Sequence, residues 1–188
     1  YSVMVVREGD ENYNDAANAT TFTVSEYMGN FIVNSTGGKF DTLVEAIRNS
    51  ADEDIIYVME GSYSNLGNLG VSILGKKLSI ISLGEVIFDA NSTILMFIAV
   101  NEGSDVTIYD AIFTGFDNRY KETVFLNRGN LTFDGCTFVK NNLVNDTHAG
   151  TNSEPFKGLI YSEGNLSIVN SEFYDNKIYH TYLVNSKS

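Results

Sequence analysis

A chain of 188 residues with 43% hydrophobic and 12% aromatic content is long and apolar enough to bury one sizeable core, which excludes a disordered polypeptide. Trp is absent, Pro occurs once and Gly 16 times, while Ile, Val, Leu, Phe and Tyr dominate the apolar set; this strand-and-turn composition points to an all-β fold. The formal net charge of −12 repels polyanions, so nucleic acid and anionic lipid are excluded as partners.

Residues 1–24, "YSVMVVREGDENYNDAANATTFTV", alternate around a polar loop and predict a β-hairpin, either closing a preceding domain or covering the edge of the next. The loop "EGDENYND" at 8–15 offers oxygen ligands for calcium. It lacks the spacing of a defined calcium loop, so a solvated turn and no cofactor are expected. Residues 25–40 read as a connector and a first strand. In "DTLVEAIRNS" at 41–50, Leu43, Ala46 and Ile47 recur at helical spacing behind a Thr42/Glu45 capping box, which predicts a short helix capping the domain.

From 51 to 188 the sequence repeats. "DIIYVMEGSYS" and "VSILGKKLSIIS" read as a first coil, and after "LSIISLGEVIFDAN" from Leu78 come "VTIYDAIFTGFDN" from Val106, "LTFDGCTFVKNN" from Leu131 and "LSIVNSEFYDNK" from Leu166. The clear copies lie 25 and 35 residues apart, the spacing of a solenoid whose units bury their apolar faces only by stacking. Apolar residues at the first and third positions make a half-buried strand. A turn and a small residue two before a Phe follow, as in Ala111/Phe113, Cys136/Phe138 and Ser171/Phe173, which implies a second inward strand. "FIAVNEG", "VFLNRGN" and "LIYSEGN" supply a third. Three short strands per unit, without helices, describe one coil of a β-helix. Stacking predicts an internal Phe113–Phe138–Phe173 ladder, and an Asn141/Asn176 pair at a left-handed bend, with Phe116 interrupting that column.

Residues 143–155, "LVNDTHAGTNSEP", are an insertion and the candidate binding loop, with Asn145, Asp146, His148, Asn152 and Glu154 as its polar residues. The final "HTYLVNSKS" aligns with "LIYSEGN" and stops before its next strand, the pattern expected of a truncated coil. Asn-x-Ser/Thr patterns at Asn18, Asn34, Asn91, Asn130, Asn145 and Asn165 are candidate N-glycosylation positions, two of them generated by the repeat. The longest apolar run, "ILMFIAV" at 94–100, is too short to span a bilayer, so no membrane insertion is expected within the segment.

The "FDTLVEAIRNSADEDIIYVMEGSYS" opening, the "LSIISLGEVIFDANS" coil and the recurring "GNLTF" and "GNLSI" resemble right-handed parallel β-helix domains of the pectin-lyase-like class, most closely those of methanogen (archaeal) adhesin-like surface proteins. In that family β-helix segments alternate with immunoglobulin-like repeats, and residues 1–24 look like the closing strands of one. The resemblance implies a non-catalytic, extracellular, archaeal cell-surface adhesin that attaches to a glycan or protein on another cell.

The same class contains polysaccharide lyases and glycoside hydrolases, so an enzyme is the alternative. Hydrolysis needs two carboxylates roughly 5–10 Å apart, which Asp110 and Asp134 from adjacent coils approach. Asp110 aligns with Gly135 and Asn170, and Asp134 with Tyr109 and Val169, so turn formation explains both. Arg119 and Lys121 lack the companion motifs of a uronan-cleaving site. His148 and His180 have no nucleophile to activate, and the lone Cys136 reads as a buried inert thiol. A trimeric receptor-binding spike is a third reading, which a monomeric mass in solution would contradict.

Overall fold

The structure, a computed structural model, describes residues 2–7, 16–21, 32–34, 39–64, 70–93, 96–117, 123–144, 158–179 and 181–187. β1 (Ser2–Arg7) and β2 (Ala16–Thr21) pair antiparallel with Ser2 opposite Thr21, as a two-stranded sheet of their own.

From residue 32 onward every strand pairing among the described residues is parallel. One face runs through β3 (Ile32–Val33), β4 (Ile55–Tyr63), β6 (Lys77–Thr93), β8 (Asp105–Phe116), β10 (Asn130–Asp134) and β14 (Asn165–Val169). A second runs through β5 (Val71–Ile73), β7 (Ile98–Val100), β9 (Phe125–Asn127), β13 (Ile160–Ser162) and β17 (Val184–Ser186). β12 (Asn142–Val144) and β16 (Lys177–Tyr179) make a third, and the first face bends so that its later rungs continue as β11 (Thr137–Val139) and β15 (Glu172–Tyr174). The chain is a parallel β-helix. Leu78, Val106, Leu131 and Leu166 share one column, the register read from the repeat. Ile55–Tyr63 and Leu78–Ser82, read together as a first coil, stack on one another in successive coils.

Two corners bend each later coil. Asp110, Gly135 and Asn170 occupy the first, with φ of 55°, 68° and 49°, and Gly115, Lys140 and Asp175 the second, with φ of 69°, 55° and 54°. The left-handed residue at the second corner is therefore Lys140 or Asp175 rather than the Asn that follows. The Asn instead turns its carboxamide inward to serve backbone groups that the bend leaves unpaired. Asn141 accepts from the Phe116 amide at 3.1 Å and donates to the Phe113 carbonyl at 3.2 Å, while Asn176 donates to the Phe138 carbonyl at 2.8 Å. Asn141 also donates to Asn176 Oδ1 at 3.0 Å from both its backbone and its side chain, which links the rungs.

The core is a column of rings longer than the repeat alone indicated. Tyr63, Phe88, Phe113, Phe138 and Phe173 lie in register, and the last three stack with centroids 5.2 and 4.4 Å apart. Phe97, Phe125 and Phe133 meet this column in tilted or edge-to-face contacts, the arrangement that ring quadrupoles favour.

The two ends differ. At the first, α1 (Leu43–Asn49) buries Leu43, Ala46 and Ile47, and the Thr42 hydroxyl accepts from the Glu45 amide at 3.3 Å. Lys76 reaches back from the first coil and donates to the carbonyls of Ile47 and Ser50 at 2.9 and 2.6 Å, so a cation satisfies the helix C-terminus. Lys76→Met is expected to cost roughly 1–2 kcal/mol and to speed amide exchange in α1 ahead of the coils, which hydrogen exchange measures residue by residue. At the other end Leu166, Ile168 and Phe173 point inward but are only partly buried, and Val169, Tyr174, Ile178, Tyr179, Tyr182 and Val184 are exposed.

Candidate functional site

The insertion residues Asn145, Asp146, His148, Asn152 and Glu154, together with His180, Arg119, Lys121 and the 8–15 loop, lie outside the described residues. Asn18 falls in β2, and Asn34 is half-buried beside Val33. Asn91 is exposed with φ of 49°. Asn130 and Asn165 are exposed neighbours on adjacent coils, where Asn165 Nδ2 donates to Asn130 Oδ1 at 2.9 Å.

The residues with catalytic potential in the repeat have structural tasks. Asp110 holds a left-handed corner, and the Asp134 carboxylate accepts from Asn170 Nδ2 at 2.9 Å. Cys136 is fully buried with its thiol 3.3 Å from the Ile108 carbonyl, and burial pushes its pKa up to about 11. Because the folded thiol holds its proton above the ordinary value of 9.0, its contribution to stability is complete below pH 9 and is lost as pH rises through about 11. At pH 8 the native protein is expected to leave Cys136 unreacted with a disulfide reagent, and denaturant to release it; rapid labelling of folded protein would contradict the packing described.

A groove absent from the repeat arithmetic lies where the second face turns into the first. Val100, Asn127 and Ser162 are in register, as are Asp105, Asn130 and Asn165. Between those columns one coil has residues 101–104 and the next two have only 128–129 and 163–164, so Glu102 and Gly103 overhang the shorter turns. The result is a groove of about 380 Å³ lined by Glu102, Ser104, Asp105, Arg128, Asn130 and Asn165, with Gly129 and Gly164 beneath. Glycine is needed there because the turns nest backbone to backbone. A Cβ on Gly129 would lie 2.6 Å from the Asn101 carbonyl oxygen, and one on Gly164 would strike the Gly129 carbonyl.

The groove is held from below and from the side. Buried Asn127 donates to Ser162 Oγ and the Asn165 carbonyl at 2.9 and 2.8 Å and accepts from the Gly129 amide at 3.1 Å. Ser104 Oγ donates to the Ile73 carbonyl at 3.2 Å and accepts from the Gly75 amide at 2.9 Å. On the rim Arg128 Nε and the Tyr161 hydroxyl each donate to Glu163 at 3.1 Å, with Lys187 Nζ 3.7 Å away. Arg128 first, then Tyr161, hold the Glu163 carboxyl below the usual carboxylate range. The Glu102 and Asp105 carboxylates and Asn130 Nδ2 make no hydrogen bond or ion pair with the described residues. Sequence reasoning missed this site because its signal was the two-residue difference in turn length, visible in the alignment yet carrying no motif.

Comparisons of the chain with protein-family models, with curated proteins and with solved structures found no match. Among the described residues no helix is long and apolar enough to cross a membrane, and no group of three or more His, Cys, Asp and Glu side chains is placed to hold a metal ion.

Proposed function

We propose that the chain is a non-catalytic segment of an extracellular, cell-surface adhesin, in which the β-helix is a stiff spacer that displays turns and loops to a glycan or protein on another cell. The observation that carries this reading is that reactive residue types in the repeat are spent on the fold. Asp110 is a corner residue, Cys136 is a core residue, and Asn141 and Asn176 cap backbone groups. The continuous ring column supplies stiffness, because each rung is locked to its neighbours by side-chain packing as well as by strand pairing.

Beads carrying the purified chain are expected to be retained on cell or glycan-coated surfaces after washing, more than beads carrying a helical protein of equal charge. Equal retention would overturn the attachment reading. The alternative, a polysaccharide lyase or glycoside hydrolase, is favoured by the adjacent-coil placement of Asp110 and Asp134. It predicts polysaccharide cleavage that is lost in Asp110→Ala and Asp134→Ala.

A further inference from the structure

We infer that the groove over Gly129 and Gly164 binds a neutral saccharide, a ligand assignment that rests on the adhesin reading. Three polar side chains, Asp105, Asn130 and Asn165, stand in one column on consecutive coils, hence about 4.8 Å apart along the axis. The longer turn adds Glu102 to the same lining, so the groove combines carboxylate acceptors with carboxamides. Carboxylates accept two hydroxyl protons side by side and carboxamides both donate and accept, which matches the adjacent hydroxyls of a sugar ring.

Charge narrows the class. Among the described residues Arg128 is the cation lining the groove, and it is already engaged by Glu163, while Glu102 and Asp105 line it without an ion pair on a chain of net charge −12. An acidic sugar meets repulsion there and a neutral one does not. The size fits as well: about 380 Å³ falls at the small end of ligand sites, room for a short oligosaccharide rather than an extended protein segment. The groove needs no induced fit, because Asn127, Ser104 and the nested glycines fix its base before any ligand arrives.

The same geometry links this site to modification. Asn130 and Asn165 both stand in Asn-x-Ser/Thr patterns and both line the groove, so a glycan attached to either would fill it. Binding is therefore a property of the chain unmodified at these two positions.

The test uses the whole chain made in a host without N-glycosylation, titrated with lactose, cellobiose and maltose and, as the acidic probe, digalacturonate. Amide spectra are expected to shift at Gly103, Gly129 and Gly164 with at least one neutral disaccharide and not with digalacturonate. The E102A/D105A double variant is expected to weaken that response roughly tenfold or more with the rest of the spectrum unchanged. If no neutral sugar shifts these three glycines, or if digalacturonate shifts them more strongly, the groove assignment fails. Bead retention separates the two ideas: retention that survives in E102A/D105A sinks the groove and leaves the adhesin reading intact, whereas absence of retention in the unaltered chain sinks the adhesin reading itself.

Discussion

Replacing Phe138 by Ala is expected to destabilise the β-helix by about 3–5 kcal/mol, the largest effect of any single substitution considered for this chain. Its ring is fully buried and sandwiched in the column, 5.2 Å from Phe113 and 4.4 Å from Phe173, with Phe125 and Phe133 edge-on at 5.6 and 5.1 Å. Truncation removes the transfer energy of a whole ring and opens a cavity that parallel strands locked on three sides cannot close. Denaturant unfolding measures it: the midpoint should fall with the slope unchanged. Phe173→Ala should cost clearly less, because Phe173 is only partly buried. Equal losses at the two positions would mean that the column does not carry the stability assigned to it.

Asn141→Leu is the second. The side chains are close in volume and leucine is the more hydrophobic, so a purely hydrophobic account predicts a neutral or stabilising change. The structure predicts a loss of roughly 2–4 kcal/mol, since the Phe116 amide and the Phe113 carbonyl lose their partner inside the core and each unsatisfied group costs about 1–3 kcal/mol. Asn176→Leu should cost less, as Asn176 is only half-buried. A midpoint shift near zero for Asn141→Leu would show that water or a rearranged turn replaces the carboxamide.

These expectations indicate which parts of the molecule were legible from residues alone. The register was, because inward positions recur with the same chemistry: Leu78, Val106, Leu131 and Leu166 are each followed two residues later by Ile80, Ile108, Phe133 and Ile168, and a slip of one residue would turn every one of them outward. The Phe column was legible for the same reason. Its extension through Phe88 and Tyr63 was harder to see, since extra residues around Gly84 shift the spacing between Ile81 and Val86. The third face escaped notice because "NLV" and "KIY" share no pattern beyond a central apolar residue, Leu143 opposite Ile178. The left-handed corner was placed one residue late, on Asn141 rather than Lys140, because asparagine's preference for that conformation competed with its use as a backbone cap and the cap prevailed.

The groove was the least legible feature. Glu102, Asp105 and Arg128 belong to no motif, and they converge only because a four-residue turn sits over two-residue turns in a register set by the core. Fold alone does not select attachment over cleavage, since both uses are built on coils of this kind. What separates them is whether a bound polysaccharide leaves intact.

The direct measurement is therefore the size distribution of a panel of neutral plant and microbial polysaccharides after prolonged incubation with the chain, read by size-exclusion chromatography with light scattering. Co-elution of protein with polymer of unchanged length is the predicted result. Progressive shortening of any polymer in the panel, abolished in Asp110→Ala or Asp134→Ala, would contradict the non-catalytic reading and establish the enzyme in its place.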